Sequence, residues 1–122
     1  MSITHLFVYG TLRPGDVRWP LLQPLVTGEG VADEIDGDLY DTGFDYPAAM
    51  FGGTGRIVGQ TFELISETLD HALAVLDEEE GTVDGLYRRI AFRTRGGRNV
   101  WVYEYGGGLM LTPIASGDWF IR

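Results

Sequence analysis

The alternation of apolar and polar residues divides the chain into short strands and one helix. His5–Tyr9 is a short apolar stretch that ends abruptly at Gly10. It predicts a strand followed by a tight loop over Gly10–Gly15, and further strands are predicted around Gly37–Tyr40 and Ile57–Leu64. Turn signals at short intervals and 18 glycines are typical of a β-rich domain.

The clearest hairpin has Gly96-Gly97 as its turn, between predicted strands Tyr87–Arg95 and Arg98–Tyr105. We expect a two-residue turn of the primed type, which would fix the strand register. The expected cross-strand pairs are Phe92 with Trp101, Ile90 with Tyr103, and Ala91 with Val102. In this register one face is apolar, and the other carries arginines, with Arg89 opposite Glu104 as a favourable charge pair.

One amphipathic helix is predicted from about Ser66 to Glu80. Its apolar residues recur at the helical spacing i, i+3, i+4 and i+7, namely Leu69, Ala72, Leu73 and Leu76. Ser66 or Thr68 is a suitable N-cap, and Gly81 is a natural stop because glycine adopts the left-handed conformation freely.

The end of this helix carries an acid in an unexpected place. One further turn along the apolar stripe from Leu76 reaches Glu80, which should therefore face the core, whereas Glu78 points to solvent and Glu79 lies at the margin. Four consecutive acids, Asp77 to Glu80, also crowd the negative end of the helix dipole. Like charges and partial burial should raise the pKa of Glu80 and suit it to proton transfer. The alternative is a frayed, solvated helix end, and periodicity alone does not decide between the two.

Composition narrows the function classes. The 122 residues fit one domain, 1–122, and the absence of cysteine excludes disulfides, thiolate zinc sites and a cysteine nucleophile. All nine basic residues are arginine, which excludes a Schiff-base lysine and a P-loop. A net charge of −9 repels phosphate backbones, so no nucleic-acid partner is expected. We expect a cytoplasmic protein with no membrane partner, since we find no membrane span and no secretory signal.

Metal and cofactor motifs do not fit the chain either. His5 and His71 lie far apart without ligand-like spacing, and the acid-rich segment Asp33–Asp41 does not match an EF-hand. Gly28-Glu29-Gly30 lacks the third glycine of a dinucleotide-binding loop, and no serine sits in a nucleophile elbow. We therefore expect neither a metal nor a cofactor.

Two motifs carry a resemblance to a known family. Val8–Gly15 (Val-Tyr-Gly-Thr-Leu-Arg-Pro-Gly) resembles the Tyr-Gly-(Thr/Ser)-Leu-Arg segment of the gamma-glutamylcyclotransferase-like family. Leu76–Gly81, followed by Tyr87-Arg88-Arg89, is similar to that family's Leu-Asp-x-x-Glu-Gly…Tyr-x-Arg element. Two weaker matches follow the same order along the chain: Gly37–Gly43 before Tyr46-Pro47-Ala48, and Ser116–Trp119.

The resemblance implies an α+β fold, a small mixed β-barrel with flanking helices. It also implies cofactor-free conversion of a gamma-glutamyl amine or amino acid to 5-oxoproline and the free amine. Glu80 would be the catalytic acid, because the family's acid directly precedes the glycine. The implied substrate-binding loop consists of Tyr9, Gly10, Thr11 and Leu12.

Three more residues are candidates for substrate binding, and each has a structural alternative. Arg13 would neutralise a substrate carboxylate, or it is a solvated loop arginine. Tyr103 would hydrogen-bond in the pocket, or it is a core tyrosine. Tyr87 matches the family pattern, or it only anchors the loop after the acid.

The loop at Gly10 suits anion binding, because glycine allows close approach and successive N–H groups of a turn form a concavity. It would hold the substrate carboxylate or a developing oxyanion, and the sequence leaves both open. An ordinary strand-ending turn is the alternative. At the level of function, the cyclising enzyme competes with a binding or stress-response module that keeps the pocket without turnover. The sequence indicates no oligomeric state.

Overall fold

Six strands and two short helices make up the fold of the computed structural model, which describes residues 3–81, 86–107 and 110–122. The strands are β1 (His5–Val8), β2 (Val26–Asp41), β3 (Pro47–Leu64), β4 (Tyr87–Arg93), β5 (Asn99–Tyr105) and β6 (Thr112–Pro113). The helices are α1 (Trp19–Leu22) and α2 (Leu69–Glu79), and short 3₁₀ turns cover Gln23–Leu25, Ser66–Thr68 and Trp119–Ile121. Among the described residues, no helix is long and apolar enough to cross a bilayer.

The strands form one mixed sheet in the order β4-β5-β1-β3-β2-β6, which curls into a half-barrel. Among the strand pairings of the described residues, the β1–β5 pairing is parallel and the other four are antiparallel. β1 lies inside the sheet, and its residues Leu6, Phe7 and Val8 are almost fully buried, as expected for a short continuous apolar strand. This arrangement confirms the predicted α+β class with a curved mixed sheet.

Asp33 fastens the curled sheet by joining the tip of the β4–β5 hairpin to β2. Its buried carboxylate accepts hydrogen bonds from the Gly96 N–H and from Arg98 Nη1, each at 3.1 Å. The neighbouring Arg95 N–H donates to the Glu34 carbonyl at 2.7 Å. Burial alone would raise the pKa of Asp33, but these donors together with Thr94 hold it below its ordinary value.

The predicted strands around Gly37–Tyr40 and Ile57–Leu64 lie inside the much longer β2 and β3. The prediction found only the parts with clear apolar alternation. The remaining parts are rich in glycine and polar residues, and the β2–β3 pairing shifts register between Thr27 and Val31 and again at Asp36/Gly37. Such bulges interrupt the period-2 pattern on which strand prediction depends.

The predicted hairpin exists, but its register is wrong by one residue. Ala91 pairs with Trp101, Ile90 with Val102, Phe92 with Val100, and Arg88 rather than Arg89 lies opposite Glu104. The loop has three residues instead of two: Gly97 donates to the Thr94 carbonyl, Thr94 donates to the Arg98 carbonyl, and Gly97 is left-handed with φ 85°. This is a type I turn with a bulge, the usual geometry of a three-residue hairpin loop.

The predicted helix is confirmed, with a different start. A 3₁₀ turn covers Ser66–Thr68, and the α-helix begins at Leu69 with no side-chain cap from Thr68. The stripe of Ala72, Leu73 and Leu76 is buried as predicted. The helix ends where expected, because Gly81 takes the left-handed conformation with φ 71°.

Candidate active site

A cavity of about 120 Å³ lies where the loop after β1 meets the end of α2. Seven of the eight site residues predicted from the sequence line it: Tyr9, Gly10, Thr11, Leu12, Glu80, Tyr87 and Tyr103. These residues come from distant parts of the chain. The segment that directly follows β1 contributes Tyr9 to Leu12, and the end of α2 contributes Glu80. Tyr87 lies on β4 and Tyr103 on β5.

Two hydrogen bonds hold the loop after β1 at the cavity wall. Arg13 N–H donates to the Gly10 carbonyl at 3.0 Å, and Arg18 N–H donates to the Thr11 carbonyl at 2.8 Å, which fixes the loop from both ends. Within the described residues, no hydrogen bond runs from the N–H of Thr11 or of Leu12 to a protein acceptor. Two consecutive donors therefore remain available at the cavity wall, the arrangement that binds anions.

Gly10 is required in this loop for space. A Cβ at Gly10 would overlap the ring of Pro47, another residue of the cavity wall. Hence glycine allows the loop to approach the first residues of β3 closely.

Glu80 extends from the end of α2 into the cavity. Its N–H still donates to the Leu76 carbonyl at 2.9 Å, so the residue continues the buried stripe of the helix. Burial raises the pKa of the carboxyl from 4.5 to about 7, nearby Arg18 partly opposes this, and Glu79 adds to it. The predicted rise in pKa is confirmed, and burial rather than the run of like charges is its main cause.

The neighbouring acids are placed differently, which resolves the ambiguity of three adjacent glutamates. Glu78 is exposed, and the Glu79 side chain is 42% exposed while it pairs with Arg18 (Nε to Oε1, 3.4 Å). Glu79 does reach the cavity wall, but at its solvent side. The raised pKa belongs to Glu80.

Three of the four tyrosines that line the cavity are held by hydrogen bonds from their hydroxyl groups. Tyr9 donates to the Tyr103 carbonyl, Tyr87 to the Pro47 carbonyl, and Tyr103 to Asp77 Oδ1 at 2.7 Å. Burial raises the pKa of all three phenols far above neutrality, so they stay protonated. Their hydroxyls already have acceptors, and so the tyrosines shape the cavity and brace its walls.

Arg13 does not join the other predicted residues at the cavity. Its guanidinium donates to Gln60 Oε1 at 2.9 Å and to Asp118 Oδ1 at 2.7 Å, and it lies over the ring of Phe120 at 4.0 Å. Its side chain is only 8% exposed. In this structure Arg13 forms an ion pair that ties the loop to the C-terminal segment, and it is neither solvated nor among the residues that line the cavity.

Sequence reasoning missed other residues of the cavity wall, notably Arg18, Tyr46, Glu79 and Leu86. Tyr46 and Glu79 both belong to segments that match the family, so the sequence carried a signal for each of them. Arg18 has none, because it reaches the cavity through the turns of the loop that follows β1. No group of three metal-ligating side chains lies together in the described parts of the chain.

Comparisons with known proteins find similarity both in sequence and in fold. The sequence model of the family described as "Gamma-glutamyl cyclotransferase, AIG2-like" matches residues 6–120. The chain is 32% identical over 120 residues to gamma-L-glutamyl-butirosin B gamma-glutamyl cyclotransferase of Niallia circulans, covering 94% of this chain and 74% of that protein. The crystal structure of an uncharacterized protein from Pyrococcus horikoshii has a TM-score of 0.73 at 27% identity, covering 97% of this chain and 90% of that one. A mouse AIG2-like protein shares the fold, with a TM-score of 0.57 at 21% identity over 85% of this chain and 78% of that one.

Proposed function

Because this chain belongs to the AIG2-like gamma-glutamyl cyclotransferase family, we propose that it cyclises a gamma-glutamyl amine or amino acid to 5-oxoproline. The free amine is the second product, and Glu80 is the general base and then the general acid. The observation that carries this proposal is the position of Glu80, a half-buried residue whose carboxyl has its pKa raised to about 7 by desolvation and which lines the same cavity as two unused main-chain donors.

The chemistry needs one proton carrier. The substrate's neutral α-amine attacks its own γ-carbonyl carbon, so a new C–N bond closes the five-membered ring. The attacking nitrogen gives its proton to the Glu80 carboxylate, and the same proton then goes to the departing nitrogen as the original C–N bond breaks. The carboxylate is restored, no electrons are exchanged, and a carboxyl with a pKa of about 7 is suited to both transfers near neutral pH.

The loop after β1 supplies the second requirement, which is to hold the substrate in a folded conformation. Ring closure is intramolecular, so fixing that conformation lowers the barrier considerably. The adjacent N–H groups of Thr11 and Leu12 would donate hydrogen bonds to an anion in the cavity. We assign the substrate's α-carboxylate to these two N–H groups. The carboxylate is charged throughout the reaction, so donors that are already in place bind it from the start. The tyrosine walls keep the head group away from water.

The test is an assay for 5-oxoproline with gamma-glutamyl amino acids, gamma-glutamyl amines and glutathione. We expect turnover of at least one of them, and Glu80→Gln should lower kcat by about two orders of magnitude or more. Glu78→Gln is the matched control, because it makes the same change two residues before Glu80, on an exposed side chain that does not line the cavity. If Glu80→Gln retains activity and Glu79→Gln loses it, the catalytic assignment is wrong.

A non-catalytic binding module with the same pocket is the competing proposal. Tight binding of a gamma-glutamyl compound without any product would support it against ours. The raised pKa of Glu80 speaks for catalysis, because a carboxyl that only bound the substrate's α-ammonium group would be expected to stay ionised, with an ordinary or lowered pKa. A small-molecule partner and a cytoplasmic location are part of the proposal.

A further inference from the structure

The size of the cavity implies that most of the leaving group lies outside it. Its volume is about 120 Å³, whereas an apolar protein cavity of roughly 150 Å³ holds one benzene molecule. A glutamyl head group is larger than benzene, so the head group alone takes up all of the space beside Glu80 and reaches the mouth of the cavity. The leaving amine must extend through the mouth, so the residues around the mouth decide which amines are accepted.

Part of the cavity lining is apolar and continues onto the protein surface as an exposed wall. Leu86 and Tyr46 line the cavity, and Leu86 remains 46% exposed while its side chain lies against Gly81, directly after the acid. The ring of Phe44 stacks on Tyr46 with centroids 6.4 Å apart and stays 63% exposed. Tyr46 also contacts the Tyr87 ring, so the apolar surface runs continuously from inside the cavity outwards.

The segment that carries Phe44 and Tyr46 is held in a strained turn. Asp45 has φ 66°, the left-handed region that non-glycine residues rarely adopt. The Thr42 hydroxyl donates to the Tyr46 carbonyl at 2.8 Å and accepts from the Phe44 N–H at 3.2 Å. Backbone strain that is fixed by its surroundings is typical of ligand-binding segments. Here it holds two stacked rings beside the mouth, with one ring largely in solvent.

We propose that this wall, formed by Phe44, Tyr46 and Leu86, binds the leaving group, and that the preferred leaving amines carry an aromatic or large aliphatic side chain. The inference rests on the proposed function, because it takes the glutamyl head group to lie beside Glu80. An apolar side chain on the leaving amine would cover the exposed rings and remove them from water.

The experiment measures kcat/KM for gamma-glutamyl-phenylalanine, gamma-glutamyl-leucine and gamma-glutamyl-glycine. We expect the phenylalanine compound to exceed the glycine compound by about tenfold or more, mainly through KM. Phe44→Ala should reduce that ratio by about three- to tenfold. Phe44→Leu should restore the preference over the glycine compound, and more fully for the leucine compound than for the phenylalanine compound. Val31→Ala is the control, because it trims another exposed apolar residue that does not line the cavity.

Binding of the same compounds to Glu80→Gln, measured by calorimetry, separates this inference from the proposed function. A preference in binding without any product in the wild type would support the wall and refute the cyclisation. Product formation with equal kcat/KM for all three compounds would refute the wall and leave the cyclisation intact. A preference that survives in Phe44→Ala, or no binding of any compound, would also overturn the inference.

Discussion

Replacing Glu80 with glutamine should stabilise the protein at alkaline pH while it removes activity. Glutamine keeps the size of the side chain and cannot ionise. The fold shifts the pKa of this carboxyl from 4.5 to about 7, and one pKa unit corresponds to about 1.4 kcal/mol. Keeping the ionised carboxylate in the folded protein therefore costs about 3 kcal/mol, a large part of the stability of a small domain.

The sign of the effect follows from proton binding. Below pH 4.5 the carboxyl is protonated in the folded and the unfolded state, and it contributes no difference. Between pH 4.5 and about 7 the folded protein binds more protons than the unfolded chain, so the free energy of unfolding of the wild type falls as the pH rises. Above about pH 8 the carboxyl is ionised in both states, and the free energy of unfolding of the wild type falls no further on its account. The advantage of Glu80→Gln over the wild type should thus grow from near zero at pH 4.5 to about 3 kcal/mol at pH 8.5.

Urea unfolding of both proteins between pH 4.5 and 8.5, followed by the fluorescence of the three tryptophans, measures this difference. The contributions of all other titrating groups to the free energy of unfolding cancel when one protein's value is subtracted from the other's. Glu78→Gln, on the exposed side of the same helix end, should show no such pH-dependent gain. If Glu80→Gln gains nothing between pH 5 and pH 8, the Glu80 carboxyl is hydrated in solution, and the case for its role as proton carrier fails.

Three further substitutions test the rest of the site. Arg18→Gln removes the guanidinium that lowers the pKa of Glu80, so the rise of kcat/KM near pH 7 should move to higher pH; an unchanged pH profile would contradict this contact. Gly10→Ala places a methyl group into a proline ring of the cavity wall, and it should destabilise the protein by about 1–3 kcal/mol and lower kcat/KM at least tenfold in steady-state assays. Arg13→Ala leaves the buried Asp118 without its partner, so urea unfolding should show a loss of about 3 kcal/mol with little change in KM. A large rise in KM with unchanged stability would instead return Arg13 to the substrate site.

The helix and its acid were predictable because both depend on local spacing. Leu76 and Glu80 are one turn apart, so a buried stripe that includes the first predicts an inward-facing second, whatever the rest of the chain does. Gly81 sets the end of the helix by its own conformational freedom. The loop after β1 was predictable for the same reason, since its strand, its glycine and its motif are contiguous in the chain.

The hairpin register failed because the apolar pattern of β5 fits either choice. Val100 and Val102 are buried on one face of this strand, and Tyr103 and Tyr105 are buried as well, so shifting the partner by one residue leaves no residue obviously misplaced. Two adjacent glycines, Gly96 and Gly97, allow a two-residue or a three-residue loop. The contacts of the hairpin tip with Asp33 on a distant strand accompany the longer loop, and local sequence contains no trace of them.

The sequence by itself determined β1, α2 and the existence of the β4–β5 hairpin, together with the groups of the site that come from contiguous motifs: the strand and loop before Arg13, and the acid at the end of α2. Tertiary structure decided the rest. It placed the loop and the acid on one cavity, turned Arg13 away to a buried ion pair, and brought in Arg18 and Tyr46. The physical reason is that spacing along one helix or strand fixes which way a side chain points, whereas its neighbours across the fold depend on how a curved sheet closes.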